Sequence, residues 1–277
     1  MQSVFVVVAP AGRPVPEVFH AATAANSLRA SLLAGMQRFR GRVYLADRAI
    51  SAGELTADGR HVLDIDEDSW HLLTLDADRS VCGCVRILDR TGARSLDQLW
   101  IRNSALTDSA SWGGLFRSAI ETEMKTARKD GLRFGEVGGL AMSPESRGTM
   151  TSLRTILGTF GFLQLLGGAR CVVTATARHG CAQILRRIGL SPLVSGGKEL
   201  PQYYDPQFGC EMQVLRFDSR YPAPKYLNWV GELATYLKNV PVVAGGSRTR
   251  AYPPAHQAQL PFLPGPGAAA WAAVASR

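Results

Sequence analysis

No run of 18 or more apolar residues occurs anywhere in the chain, which excludes a predicted transmembrane helix. The opening residues, MQSVFVVVAPAG, lack a positively charged segment ahead of an apolar stretch, which argues against an export signal. Cysteine is sparse and odd in number: five, at Cys82, Cys84, Cys171, Cys181 and Cys210, several of them inside apolar runs. Such cysteines read as reduced, buried thiols of a cytoplasmic protein, not as a disulfide framework. Cys82 and Cys84 stand two apart without further spaced Cys or His, so no metal centre is expected. The dinucleotide fingerprint Gly-x-Gly-x-x-Gly and the Gly-Lys-Ser/Thr of a phosphate-loop ATPase are both missing. Blocks of Lys/Arg are missing as well, although 31 basic against 23 acidic residues leave a net charge of +8. That excess favours an anionic partner such as a nucleotide or a phosphorylated carrier. Scattered arginines without an arm or zinc-finger pattern do not make nucleic acid the expected one.

What is present is enough for a core: 277 residues, 46% of them hydrophobic. Residues 2–9 suit a strand, and 16–39 carry a helical rhythm through Val18, Ala22, Leu28, Leu32 and Met36. Residues 40–62 read as a long ordered loop or short helices. WHLLTLD (70–76) and SVCGCVRIL (80–88), joined by a polar turn, predict an antiparallel hairpin. Helix 111–129, strand 135–142, helix 149–166, strand 169–177, helix 179–190, a strand pair ending in 210–218, and helix 226–238 follow. The order predicts an α/β fold, a mixed sheet flanked by helices, as a single domain over 1–240. The Pro/Ala-rich stretch 241–277 reads as a flexible tail.

The sharpest local signal is EVGGLAMSPESRGTM, residues 136–150. A strand entering a helix through Ser-Pro-Glu-Ser-Arg-Gly-Thr leaves unpaired N–H groups at the helix mouth, a seat for phosphate beside Arg147. Equally, Ser146 or Thr149 simply caps the helix. Glu136 heads the strand as a candidate general base, or as a solvated edge carboxylate. His179, opening the following helix, is a second candidate base. Trp70 and His71 must face opposite sides of their strand. Arg86, a charge inside an apolar strand, needs an anion, and Asp64, Asp66, Glu67 and Asp68 are near in sequence.

VGGLAMSPESRGTM, its helix, then TATARHGCAQILRRIGL and two closing strands resemble the acyl-CoA-binding half of the GCN5-related N-acetyltransferase superfamily. Arg42-Val43-Tyr44, the aspartates 64, 66 and 68, His71-Leu72-Leu73, Val85-Arg86-Ile87 and Glu136 resemble a narrower branch. That branch is the acyl-homoserine-lactone synthases and long-chain N-acyl amino acid synthases. The resemblance implies a mostly antiparallel sheet in which strand 136–142 splays from 169–177, with a pantetheine arm in the gap. Leu140, Ala141 and Met142 would meet pantetheine, and Arg147, Gly148, Thr149, Met150, Thr151 and Ser152 would wrap its phosphates. The acceptor would enter past Arg42, Asp68, His71 and Arg86. Glu136 would take its proton, with His179 as second base and Tyr204 (or Tyr203) as an acid.

The implied function is an N-acyltransferase, moving a group other than an amino-acyl group from acyl-CoA or an acyl carrier protein's phosphopantetheine to a small-molecule amine. The alternatives are an acyl-homoserine-lactone-type synthase and a catalytically silent acyl-thioester-binding protein. Four departures bear on the choice. Met150 and Ser152 replace loop glycines, Leu185 stands where many relatives have a Tyr, Arg178 where they have an Asn, and Gly138-Gly139 where the lactone synthases have Ser-Arg.

Overall fold

A computed structural model describes residues 4–246. Its strands and helices, in chain order, are β1 Val4–Val8, β2 Ala22–Ala24, α1 Asn26–Ala46, β3 Trp70–Leu75, β4 Val81–Asp89, α2 Gly113–Lys129, β5 Arg133–Met142, α3 Met150–Leu165, β6 Ala169–Thr176, α4 Cys181–Arg187, β7 Ser191–Pro192, β8 Val194–Ser195, β9 Lys198–Glu199, β10 Tyr203–Asp205, β11 Cys210–Asp218, α5 Leu227–Leu237 and β12 Val242–Ala244. One sheet runs β10-β11-β6-β5-β4-β3-β1-β12-β2, with β7 attached to β11. The pairs β5–β6, β1–β12 and β12–β2 are parallel, and the others in this sheet antiparallel.

Strict alternation along the strands sends side chains to two differently covered faces. On one face Phe5, Leu72, Val85, Ile87, Val173 and Leu215 pack under α3, α4 and α5. The opposite face carries two separate apolar patches. Leu33, Met36, Phe39 and Val43 of α1 cover Val6, Leu73, Cys84 and Ala141. Phe116, Ile120 and Met124 of α2 cover Phe134, Val172 and Val214. Between these patches lies the strip of sheet holding His71, Arg86, Glu136 and Gly138. The antiparallel register aligns them, His71 opposite Arg86 and Arg86 opposite Gly138.

Three sequence expectations need correction. The first long helix is not 16–39 but Asn26–Ala46, so part of the expected 40–62 loop is helix. Gly41, which looks like a breaker, instead lets the 55–61 segment approach: a Cβ there would lie 2.9 Å from the Gly59 carbonyl oxygen. The domain does not stop at 240, because Val242–Ala244 form the buried strand β12 between β1 and β2. The fourth helix is shorter than 179–190, spanning Cys181–Arg187. Residues 247–277, most of the expected tail, lie outside the described residues.

α3 and α5 touch at Gly161, where a Cβ would meet the Ala234 main-chain nitrogen at 2.9 Å. Neither backbone can yield without shifting a whole helix. Gly161→Val is expected to destabilise the protein by about 2–3 kcal/mol, read as a lower urea midpoint at unchanged slope.

Candidate active site

β5 and β6 pair in parallel from Arg133↔Ala169 to Val137↔Val173, and their pairing ends there. β5 continues along β4 instead, to Cys84↔Ala141 and Gly83↔Met142. The β4–β5 register slips between Cys84 and Arg86, so Gly139 and Leu140 together oppose Val85. This is a β-bulge, and Gly139 occupies it at φ +61°, a conformation that favours glycine. The result is a wedge between two neighbouring strands in mid-sheet. Residues 137–140 are half-exposed although they belong to a central strand. On the α3 side the wedge is flanked by the partly buried Val137, Leu140, Leu153 and Ile156. Leu157 and Phe160, further along the same helix, are fully buried core.

Beside the wedge sits a buried charge cluster. The Arg40 guanidinium, with no exposed surface, donates from Nη1 to Asp66 Oδ1 at 2.9 Å and from Nη2 to Oδ2 at 2.7 Å. Gln37 Nε2 and the Leu63 N–H also donate to Asp66 Oδ2, at 3.0 and 3.1 Å. Burial by itself would raise the Asp66 carboxyl, but these bonds and the Arg40 charge outweigh it and hold it at about 2. His71 Nε2 lies 2.8 Å from the Asp66 carbonyl oxygen, and burial pushes its ring down to about 4, hence neutral. Arg86 is 7% exposed, and its Nη1 stands 4.0 Å from Asp66 Oδ1. Its Nε and Nη1 find no hydrogen-bond acceptor among the described residues. The cluster therefore holds two guanidinium groups around one carboxylate, which Arg40 occupies with both terminal nitrogens, and Arg86 has donors to spare for an incoming anion.

Glu136, 6% exposed, is held from the other side. Its Oε1 accepts from the Trp100 N–H at 2.8 Å and from Arg90 Nε at 3.3 Å, and its Oε2 from the Ile101 N–H at 2.7 Å. A short polar pocket of about 180 Å³, lined by Arg90, Leu99, Trp100 and Arg102 among others, adjoins this turn. Glu136 is thus no solvated edge carboxylate. It anchors residues 100–101 as one wall of the strip.

The mouth of the wedge is laced to the end of α1. Arg147, in the loop after β5, grips Asp47 with both terminal nitrogens, at 2.9 and 2.6 Å. His179, after β6, brings Nε2 to 3.4 Å from the same carboxylate. Arg178 donates to the main-chain carbonyls of Asp47, Arg48 and Gly209. His179 is held at φ 54°, a left-handed conformation that costs a non-glycine residue on the order of 1 kcal/mol or more.

Of the residues singled out from sequence, the fold gathers His71, Arg86 and Glu136 on one strip, and Arg147 and His179 at one rim. It does not bring in Arg42 and Asp68, which are exposed. Their places are taken by Arg40 and Tyr44, on either side of Arg42 in the chain, and by Asp66, just ahead of Asp68. Gln37, Arg40 and Tyr44 recur at helical spacing on the inner face of α1, a polar stripe that becomes visible only once the helix is carried past residue 39. The Tyr44 hydroxyl donates to the Leu140 carbonyl at 3.3 Å. Ala141 and Met142 are buried, leaving Leu140 as the half-exposed member of that trio. In the loop, Thr149 caps α3 by accepting from the Thr151 N–H, Ser152 donates to the Thr149 carbonyl, and Met150 stands 39% exposed at the helix start beyond Gly148. Tyr204 is 59% exposed on the edge strand β10. Leu185 is buried at 5%. The Arg expected after Gly138 is missing, yet a Cβ at Gly139 would lie 3.6 Å from Arg40 Nη1, so α1 supplies a guanidinium at that spot.

The sequence matches no protein-family model and no curated protein. Solved structures do match. One is a CoA-dependent acyl-homoserine lactone synthase, BjaI, with SAM and isopentyl-CoA, at TM-score 0.53 and 16% identity, covering 89% of this chain and 95% of that one. Another is TofI in a ternary complex with an inhibitor and MTA, at TM-score 0.50 and 19% identity, covering 82% and 97%. The likeness is one of fold: the chain shares the fold of both structures over nearly their whole length. Among the described residues no helix is long and apolar enough to cross a membrane. No group of three or more His, Cys, Asp or Glu among them is arranged to hold a metal ion.

The buried imidazole has a consequence for stability. Its folded value of about 4 lies below the ordinary 6.5, so the unfolded chain takes up a proton that the folded state refuses. The contribution is full above pH 6.5 and drains away as pH falls toward 4, about 3 kcal/mol in all. Urea denaturation across that window should show the loss in the wild type and a flatter profile in His71→Gln; parallel profiles would mean that His71 is not the source.

Proposed function

We propose that the protein is an N-acyltransferase that moves an acyl group from an acyl thioester, coenzyme A or carrier-borne, to the amine of an amino-acid-like small molecule. The observation that carries this reading is the end of β5–β6 pairing at Val137↔Val173. A pantetheine arm is a chain of amides, and a strand edge left without a partner pairs with it as another strand would. Leu140, Leu153 and Ile156 offer apolar surface for the acyl chain on the α3 side. The thioester carbonyl would then lie over Gly138 and Gly139, where no side chain intervenes.

The acceptor enters on the other face, between α1 and α2. Arg86 offers Nε and Nη1 to its carboxylate, in a setting where one charged group left unpaired is costly. Asp66 is paired with the buried Arg40 and held at about 2, too weak a base to take the amine proton. Glu136 is the remaining carboxylate of the strip. Its Oε2, which accepts only the Ile101 N–H, keeps a lone pair, and through it Glu136 accepts the amine proton directly or through one water as the nitrogen attacks the thioester carbon. A main-chain N–H of β5 steadies the oxyanion, and the thiolate departs. BjaI's complex with SAM and isopentyl-CoA supports a SAM-like acceptor as the first to assay, which makes a lactone-type synthase the leading form of this activity. Exposed Met150 and buried Leu185 favour a second reading, a protein that binds thioesters without turning them over.

The test is thiol release from acyl-CoA and acyl-carrier donors with S-adenosylmethionine and a panel of α-amino acids. Turnover with any of them excludes the silent reading. Glu136→Gln is expected to lower kcat by about 100-fold while leaving donor KM within twofold. Full turnover in a folded Glu136→Gln protein would remove Glu136 from the chemistry.

A further inference from the structure

Resting on that reading, we infer that Asp47 sets donor choice: by holding Arg147 it disfavours the nucleotide diphosphate of coenzyme A and favours a pantetheine arm borne on a carrier protein. The loop after β5 leads into α3 directly below the open wedge, where the phosphate end of a pantetheine arm would emerge. Arg147 is its one arginine, and both terminal nitrogens are bound to Asp47, at 2.9 and 2.6 Å, while its Nε donates to the Met142 carbonyl at 3.2 Å. Every donor-bearing nitrogen of that side chain is therefore engaged. The other basic side chain at this carboxylate, His179, is also turned toward it, at 3.4 Å. Asp47 keeps only 21% of its side chain exposed, so its charge is not screened as a free surface group's would be.

An incoming phosphate thus finds the Arg147 guanidinium already paired with a carboxylate. The penalty grows with the number of phosphates. A carrier-borne arm brings a single phosphodiester, whereas coenzyme A brings a diphosphate and a further phosphate on its ribose. Met150 at the start of α3 adds a side chain where a loop glycine would let the diphosphate approach the main chain. The Arg178 bonds to the α1 end go to main-chain oxygens, so removing the Asp47 charge leaves that lacing in place.

Calorimetric binding of coenzyme A and of pantetheine, which lacks phosphate, separates the possibilities. In Asp47→Asn the Kd for coenzyme A should fall roughly fivefold and the Kd for pantetheine stay unchanged. Arg147→Ala should abolish most of that gain when combined with it. Asp47→Ser, with a smaller side chain, guards against a folding artefact and should behave alike. In turnover, the ratio of acyl-CoA to acyl-carrier use should rise by the same factor. An unchanged coenzyme A affinity in both variants, or an equal change for pantetheine, would overturn the inference. If the wild type binds neither ligand, the thioester reading itself falls; if it binds both and Asp47→Asn has no effect, only the role of Asp47 falls.

Discussion

The Arg40–Asp66 pair is the interaction on which the rest of the site depends. Two opposite charges in the interior cost several kcal/mol each in lost hydration, which is recovered only when the geometry is close and further hydrogen bonds support the charges. Here the pair is bidentate, and Gln37 and the Leu63 N–H add two further donors at Asp66 Oδ2. Arg40 Nη2 also reaches the His61 carbonyl at 2.5 Å, so α1, the 61–66 loop and β3 are fastened at one point. α1 is thereby held over β4 and β5, and its far end delivers Tyr44 to Leu140 and Asp47 to the wedge mouth. Loss of either charge would leave the other buried and unpaired.

A second constraint is the abrupt stop of β5–β6 pairing. A central strand normally satisfies both edges, and half-exposed residues there need a reason. The bulge at Gly139 and Leu140 keeps β5 on β4 while turning it from β6. Gly138 and Gly139 leave the space above Arg86 clear. The wedge and the charge cluster are thus two sides of the same strand segment, as the proposed reaction between a thioester and an amine requires.

The surroundings of the wedge are not arranged for greatest stability. Arg86 keeps donors without acceptors, His71 is buried and neutral, and His179 sits in a left-handed conformation. Each would be better satisfied by a plainer arrangement. Their concentration around one opening marks the place where the fold carries polar capacity that its own chain does not use.

Alternation along β3 and β4 is legible in the amino-acid order alone, and with it the opposite facing of Trp70 and His71 and the need of Arg86 for an anion. The strand–turn–helix at 136–150 is legible too, since apolar runs and Ser-Pro-Glu-Ser-Arg-Gly are local signals. Which acidic residue answers the buried arginines is not: Asp66 and Asp68 share a parity, and only the loop's docking under α1 buries the first and exposes the second. The extent of α1 is hidden because Gly41 signals a break locally, whereas its role is a close contact with residue 59, far along the chain. The capture of Arg147 by Asp47, 100 positions away, is likewise decided by packing alone. Sequence periodicity determines what each element buries, because that depends on neighbours a few residues off; which charge meets which depends on how the elements dock, and only the folded chain decides it.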